Sequence, residues 1–287
     1  MVADHLVDDE AQELLAEIGI ELRVLGQFAQ AFDLAFSINV MEHVGDVGAV
    51  LRGVWAALGP GASYHFLCPN YRFPFEPTNL SIALRHVVGQ FYEIQTLQRL
   101  AHLLSPGDEV VDVGANIGNH TIYFAGELGC RVTPFECNPR LAPLLRKVVE
   151  DSALTGQVDL RHVGKAVSDG PGEVFFNHIR NDYSNVSKQA DGAMVGVPAM
   201  ALDSLDLPSC RLLKVDVDGG EIGVLRGAEA FLARHRPLLV IEVMNFNIAE
   251  ALSLIDKAGY AMIRENAQAK THSDFVFSPV EQEPPAL

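Results

Sequence analysis

Apolar residues recur along the chain with the two spacings that are typical of buried strands and of amphipathic helices. Short apolar runs at residues 110–113 (VVDV), 131–136 (RVTPFE) and 238–243 (LLVIEV) predict buried strands. Apolar positions three and four residues apart at residues 80–104 predict a helix. Strands that alternate with helices in this way indicate an α/β fold with a mostly parallel sheet.

The most informative stretch is residues 110–120, VVDVGANIGNH, where a strand pattern meets two glycines and then a helical pattern. Glycine at 114 allows a sharp turn off the strand, and glycine at 118 allows the helix to begin close to strand and ligand. Ligands of open α/β sheets bind outside the carboxyl ends of the strands. We therefore expect Asp112 and Asn116 to point into a binding site.

The loop favours S-adenosyl-L-methionine over a dinucleotide. Dinucleotide loops place a glycine at the middle position so that backbone can approach a pyrophosphate, and here that position is Asn116. The second strand ends in Glu136, a carboxylate that can accept both ribose hydroxyl protons. The alternative is structural, with a buried aspartate and a glutamate that caps a helix.

Four segments resemble the FkbM family of S-adenosylmethionine-dependent methyltransferases. They are residues 110–120, 135–139 (FECNP), 201–205 (ALDSL) and 212–228 (LLKVDVDGGEIGVLRGA), and the resemblance covers about residues 91–279. It implies a class I methyltransferase fold, Rossmann-like, with a mostly parallel seven-stranded sheet and helices on both faces. It also implies O-methylation of a hydroxyl on a sugar or polyketide-type acceptor. The residues expected to bind the cofactor are Asp112, Gly114, Ala115, Asn116, Gly118, Asn119, Glu136 and Asp169. Asp169 stands where such enzymes contact the adenine, and it could equally cap the turn that follows it.

Residues 212–221, LLKVDVDGGE, form a second candidate site. Side chains alternate along a strand, so Lys214, Asp216 and Asp218 share one face. Charged groups on a central strand are costly unless they are paired or face a ligand. We expect Asp216 to take the acceptor proton and Lys214 to orient it, with Glu221 and Glu242 as further catalytic candidates. The alternative is a structural Lys214–Asp216 ion pair with Asp218 as a helix cap.

The N-terminal part has a different organisation. Strand patterns at 32–40 and 64–68, with a helical pattern at 47–58 between them, resemble the second half of another class I methyltransferase. No glycine loop precedes them, so we predict an incomplete βαβ segment at residues 1–79, a methyltransferase domain at 80–280 and a tail at 281–287. The segment is either a non-catalytic remnant or a wall of the substrate cleft.

The composition of the chain limits the classes of partner and cellular location that we expect. A net charge of −16 and a pI of about 4.9, without a basic run, argue against nucleic acid, and no apolar run is long enough to span a membrane. Four cysteines without C-x-x-C spacing indicate a reducing, cytoplasmic location, and the histidines show no metal-ligand spacing, so no metal is expected. The expected acceptor is a small hydroxylated molecule, and the sequence gives no sign of the oligomeric state.

Three functional hypotheses follow. The first is an S-adenosylmethionine-dependent O-methyltransferase that works by in-line displacement. The second is a methyltransferase-like protein that binds the cofactor or a partner without turnover. The third is a nicotinamide dehydrogenase, against which the loop at Asn116 argues.

Overall fold

The computed structural model describes residues 32–37, 58–66, 82, 85–86, 91–179, 183–187, 195–265 and 271–282. The chain divides into two compact units, Met1–Tyr92 and Glu93–Leu287. This division falls after the boundary predicted at residue 80, and the predicted domain limits stay predictions.

The first unit contains two parallel strands, β1 (Phe32–Ser37) and β2 (Leu58–Phe66). Parallel neighbours need a crossover connection, as the predicted strand-helix-strand order requires. Residues 47–57 of the predicted helix lie outside the described residues.

The second unit is built on a six-stranded sheet. Its strands are β3 (Glu109–Val113), β4 (Arg131–Phe135), β9 (Leu212–Val215), β10 (Leu238–Met244), β11 (Tyr260–Glu265) and β12 (His272–Pro279). They lie side by side in the order β11-β12-β10-β9-β3-β4. Strands β4, β3, β9 and β10 are parallel, whereas β12 runs antiparallel to both of its neighbours. The predicted α/β fold with a mostly parallel sheet is therefore confirmed.

The strand order places a crevice beside β3. The chain passes from β3 outward to β4 and later returns to place β9 on the other side of β3. The carboxyl ends of β3 and β9 thus meet where the strand order reverses, which is where ligands of open α/β sheets bind.

The sheet has six strands within the described residues, whereas seven were predicted. A single parallel bridge, Val132 to Val158, lies at the free edge of β4. The chain then turns into a 3₁₀-helix, Leu160–His162, in which the Asp159 side chain accepts from the Arg161 backbone N–H at 3.0 Å. This local hydrogen bond competes with strand pairing, so no further strand residues follow the bridge.

A smaller four-stranded sheet follows, in the order β5-β8-β6-β7. Its strands are β5 (Ala166–Val167), β6 (Gly172–Ile179), β7 (Tyr183–Ser187) and β8 (Val195–Met200). Strand β6 pairs antiparallel with both β7 and β8.

The helices of the second unit pack around the main sheet. They are α1 (Ile94–Ala101), α2 (Asn119–Ile122), which continues as a π-helical turn Tyr123–Glu127, α3 (Leu141–Asp151), α4 (Glu221–Arg226), α5 (Glu229–His235) and α6 (Ile248–Lys257). The single helix predicted at 80–104 is wrong, because Glu93 has a left-handed φ of 55° that interrupts it just before α1. No helix among the residues described is both long and apolar enough to cross a membrane.

Candidate functional site

A cavity lies at the carboxyl ends of β3, β4 and β9. It encloses about 650 Å³ of empty space, part of which is open to solvent. Phe135, Leu141 and Val167 give it apolar walls, and the charged side chains Glu136, Lys165, Asp216 and Asp218 lie along it. An apolar cleft with a few polar groups is the usual form of a small-molecule site.

The glycine loop after β3 forms the floor of this cavity. Gly114 has φ +82°, and a Cβ atom there would lie 1.6 Å from the backbone oxygen of Asp216. Only glycine therefore allows the loop to pass this close to the end of β9. The N–H groups of Gly114 and Ala115 both donate to the Phe135 carbonyl at 2.9 Å, which ties the loop to β4.

Gly118 has a packing function. It has φ +94°, and a Cβ there would lie 2.8 Å from Leu145 Cδ1 of α3. Gly118 therefore lets helices α2 and α3 approach each other. It does not line the cavity, and neither does the buried Ala115.

Glu136 and Asn116 are joined at the centre of the cavity. The Glu136 carboxylate accepts the Asn116 N–H at 2.8 Å with one oxygen and the Asn138 N–H at 2.7 Å with the other. Burial raises the pKa of Glu136 to about 7, although the two backbone donors favour its ionised form. Asn116 has φ 55°, and its side-chain oxygen accepts the Ile117 N–H at 2.8 Å. Both residues are held rigidly where they line the cavity.

Lys214 links β3, the glycine loop and the end of β9. Its Nζ lies 3.2 Å from Asp112 Oδ1 and 3.4 Å from Asp216 Oδ2, and it donates to the Gly114 carbonyl at 3.0 Å. Burial acts to lower the pKa of Lys214, but the two carboxylates outweigh it and raise that pKa above its usual value. The lysine is therefore a fixed positive charge beneath the cavity.

Asp112 does not point into the cavity as expected. It faces Lys214 in the strand register and accepts the Thr121 hydroxyl at 2.7 Å, so its side chain is completely buried between these partners. Asp216, which follows the end of β9, lines the cavity instead. The predicted Lys214–Asp216 pair is present, but Gly220, not Asp218, is the cap residue of α4.

Glu221 is buried and both of its carboxylate oxygens are occupied. One accepts the Gly219 N–H at 2.6 Å and the other accepts the Asn247 side-chain amide at 2.5 Å. Asn247 also donates to the Gly219 carbonyl at 3.2 Å. Glu221 thus joins the loop after β9 to the loop after β10. This geometry does not favour the catalytic role that was predicted for Glu221.

Carboxyl groups gather beside the cavity at the ends of β9, β10 and β12. Glu242 and Asp274 face each other across β10 and β12. Burial, followed by the charges of Asp216 and Asp274, raises the pKa of Glu242 to about 10, and burial together with Glu93 and Asp216 raises that of Asp274 to about 7. The neutral form of Glu242 is therefore favoured over its ionised form, which makes this carboxyl a poor proton acceptor.

Asp216, Asp218 and Glu242 could also hold a cation, because one oxygen from each lies within 4.8 Å of the others. The histidines and cysteines show no metal-ligand spacing, and carboxylates from two different strand ends form no spacing pattern along a chain.

Two further expected cofactor residues lie outside the cavity. Asp169 is exposed beyond the end of β5, where the residues that do line the cavity are Lys165, Ala166 and Val167. Asn119 is buried in α2, with its amide nitrogen 3.4 Å from His120 Nδ1. Their predicted contacts with the cofactor stay predictions that the geometry does not favour.

Sequence reasoning missed two histidines that lie beside carboxylates at the flanks of the domain. His272 Nε2 lies 3.5 Å from Glu242 Oε2, and His120 Nε2 lies 3.2 Å from Glu93 Oε2.

Comparison with known proteins assigns this chain to a family. A family model described as the methyltransferase FkbM domain matches residues 112–262. Over 46 residues the chain is 63% identical to the uncharacterized protein Rv1509 of Mycobacterium tuberculosis H37Rv, an alignment that covers 16% of each chain. The match thus spans about one sixth of that relative's length.

Two solved structures are similar to this one. The methyltransferase FkbM from Methylobacillus flagellatus KT is 17% identical with a TM-score of 0.47, over 69% of this chain and 53% of that chain. TrmK of M. capricolum, in complex with S-adenosyl-homocysteine, is 12% identical with a TM-score of 0.41, over 67% of this chain and 70% of that chain.

Proposed function

Because this chain belongs to the FkbM methyltransferase family, whose model matches more than half of its residues, we propose that it is an S-adenosyl-L-methionine-dependent methyltransferase. The proposed acceptor is a hydroxyl group of a small sugar or secondary metabolite. The observation that carries the proposal is the Glu136 carboxylate, which two backbone N–H groups fix beside the cavity.

The residues of the cavity fit the cofactor. An ionised carboxylate has about four acceptor positions. Glu136 uses two of them for backbone donors, which leaves two for the ribose hydroxyls. Phe135, Leu141 and Val167 suit an adenine ring, and the carboxylates of Asp216 and Asp218 suit a sulfonium cation.

The loop disfavours a dinucleotide. Asn116 carries a side chain at the position where backbone would have to approach a pyrophosphate. Its N–H is also already donated to Glu136.

The chain's own residues supply the acid-base chemistry. When bound, the cofactor supplies an electrophilic methyl group. Asp216, whose side chain is 38% exposed, accepts the proton of the acceptor hydroxyl, and Lys214 holds that carboxylate in place.

The cytoplasmic location stays a prediction. The thiols of Cys130 and Cys210 are deeply buried, and burial raises their pKa values to about 11 and about 12, which is compatible with that prediction.

Calorimetric titration with S-adenosylmethionine, and separately with NADH, tests the proposal. We expect saturable binding of S-adenosylmethionine, no binding of NADH, and at least a tenfold weaker affinity in Glu136→Gln, which is about 1.4 kcal/mol. Glu150→Gln on the exposed side of α3 is the matched control. Folded protein that binds no S-adenosylmethionine would overturn the proposal.

Turnover is then tested with a panel of sugars and phenolic metabolites, followed by detection of S-adenosyl-homocysteine. Cofactor binding without turnover of any acceptor would favour the non-catalytic binding protein. The net charge of −16 supports the choice of small acceptors over nucleic acids for this panel.

A further inference from the structure

Glu93 has an unusual backbone conformation immediately before α1. Its φ of 55° lies in the left-handed region, which non-glycine residues seldom adopt, and strained residues of this kind cluster at functional sites. Glu93 is the N-cap residue of α1, yet its side chain makes no capping hydrogen bond. The side chain is directed to another partner.

That partner is His120 in the first turn after the glycine loop. His120 Nδ1 lies 3.4 Å from the Asn119 amide nitrogen, which can only donate, so Nδ1 is the acceptor and the proton is on Nε2. His120 Nε2 lies 3.2 Å from Glu93 Oε2 and donates to it. His120 is almost fully buried, whereas the Glu93 side chain is 35% exposed. A rigid histidine therefore orients an accessible carboxylate.

The second carboxylate oxygen of Glu93 remains available. Among the residues described, none donates a hydrogen bond to Oε1. Burial opposes ionisation of Glu93, but the hydrogen bond from His120 and the electrostatic interactions with His120, Lys214 and His272 lower its pKa below the usual value. Glu93 is thus a fixed negative charge with one free acceptor oxygen.

The electrostatic neighbours of Glu93 locate it relative to the proposed cofactor. Lys214 and His272 belong to β9 and β12, which lie on the opposite side of β3 from β4 and Glu136. With the ribose at Glu136, the amino-acid end of the cofactor must extend across β3 toward this side. There the Gly114 carbonyl already accepts from Lys214, and Asp216 is paired with the same lysine.

We infer that Glu93 binds the α-ammonium group at the amino-acid end of S-adenosylmethionine and that His120 is the positioning residue for this contact. The inference rests on the proposed function, and it assigns to the cofactor site a residue that lies outside the matched family region, residues 112–262. An ionised carboxylate with a free oxygen complements an ammonium group, and the pair is partly shielded from water.

Truncation of the ligand tests this assignment without any knowledge of the acceptor. S-adenosyl-homocysteine contains the amino-acid end, and 5′-methylthioadenosine lacks it. We expect Glu93→Gln to weaken binding of S-adenosyl-homocysteine at least tenfold and binding of 5′-methylthioadenosine less than twofold, both by calorimetry. His120→Gln should weaken only S-adenosyl-homocysteine, by about three- to tenfold. Glu127→Gln, at an exposed position of the following π-helical turn, should change neither affinity.

The outcomes separate the two proposals. Equal weakening of both ligands in Glu93→Gln, or no weakening of either, would overturn the contact with the ammonium group. Wild-type protein that binds both ligands with the same affinity would also overturn it, while the adenosine site would remain. Wild-type protein that binds neither ligand would overturn the proposed function itself. Retained binding of 5′-methylthioadenosine also shows that a variant is folded.

Discussion

The ammonium group of Lys214 lies 3.2 Å from a carboxylate oxygen of Asp112, with side-chain exposures of only 8% and 0%. Neither group is hydrated, so each buried charge is stabilised by the opposite charge of its partner. The pair lies directly below the cavity and joins the neighbouring parallel strands β3 and β9.

We expect Lys214→Met to lower the free energy of unfolding by about 3–5 kcal/mol, because it leaves Asp112 charged and unpaired in the interior. The combined variant Lys214→Met with Asp112→Leu should recover part of that loss. Urea unfolding measures both values, and Lys147→Met, at an exposed position on α3, should change stability by less than about 0.5 kcal/mol. A loss below about 1 kcal/mol in Lys214→Met would mean that water reaches the pair.

Affinity for S-adenosyl-homocysteine should fall as the pH falls below 7. The pKa of Glu136 is raised to about 7, so the carboxylate that accepts the ribose hydroxyl protons is lost by protonation below that pH. We expect the Kd to rise up to about tenfold for each pH unit below 7 and to level off above pH 8. Calorimetry between pH 6 and 8.5 measures this, and Glu136→Gln should bind weakly with a flat profile. A flat profile in the wild type would place the ribose elsewhere.

Gly114→Ala should prevent binding of the cofactor and destabilise the fold. The new Cβ would overlap the backbone oxygen of Asp216, and backbone cannot move aside as a flexible side chain can. The positive φ adds about 1–3 kcal/mol of strain. Gly156→Ala, with no atom near its added Cβ, is the matched control. Thermal melts and calorimetry compare the two variants, and unchanged binding in Gly114→Ala would contradict the loop geometry.

Asp216→Asn should strongly lower kcat but leave binding of S-adenosyl-homocysteine, which has no sulfonium charge, nearly unchanged. Loss of the group that accepts the hydroxyl proton costs about 10²–10⁴-fold in kcat. The asparagine keeps the size of the side chain, so we expect the Kd of S-adenosyl-homocysteine to change less than fivefold. The assay uses an acceptor found in the screen, with Asp256→Asn on the exposed side of α6 as control. An undiminished kcat would exclude Asp216 as the proton acceptor and direct attention to Asp274, whose pKa is raised to about 7.

Features encoded within a few neighbouring residues were predictable. The order of strand, glycine loop and helix at residues 110–120 depends on β-branched residues followed by two glycines with positive φ. The position of Glu136 was predictable in the same way, because the apolar run at residues 131–135 forms β4 and Glu136 follows its carboxyl end. The resemblance of the motifs to the FkbM family is confirmed by the family model.

Local rules failed where a nonlocal or competing contact decided the outcome. The polar sequence of residues 181–187, NDYSNVS, predicts a loop, whereas Tyr183–Ser187 forms the outer strand of the smaller sheet. An outer strand has one free edge, so polar residues are tolerated there. The pattern of residues 158–162, VDLRH, predicts a strand. That prediction is wrong for the opposite reason, since a local side-chain hydrogen bond closes a 3₁₀ turn at Leu160–His162.

The sequence by itself determined the α/β fold, the family and the three strand ends that form the cavity, because these depend on apolar periodicity and on glycine. Only the tertiary structure decided which charged groups face the cavity. Asp112 is covered by Lys214 and Thr121, and Glu221 is occupied by Asn247, whereas Glu93 and Asp274 are brought to the site from the flanks of the domain. The burial and pairing of a charge depend on strands and helices that are distant in sequence, and chain spacing does not encode them.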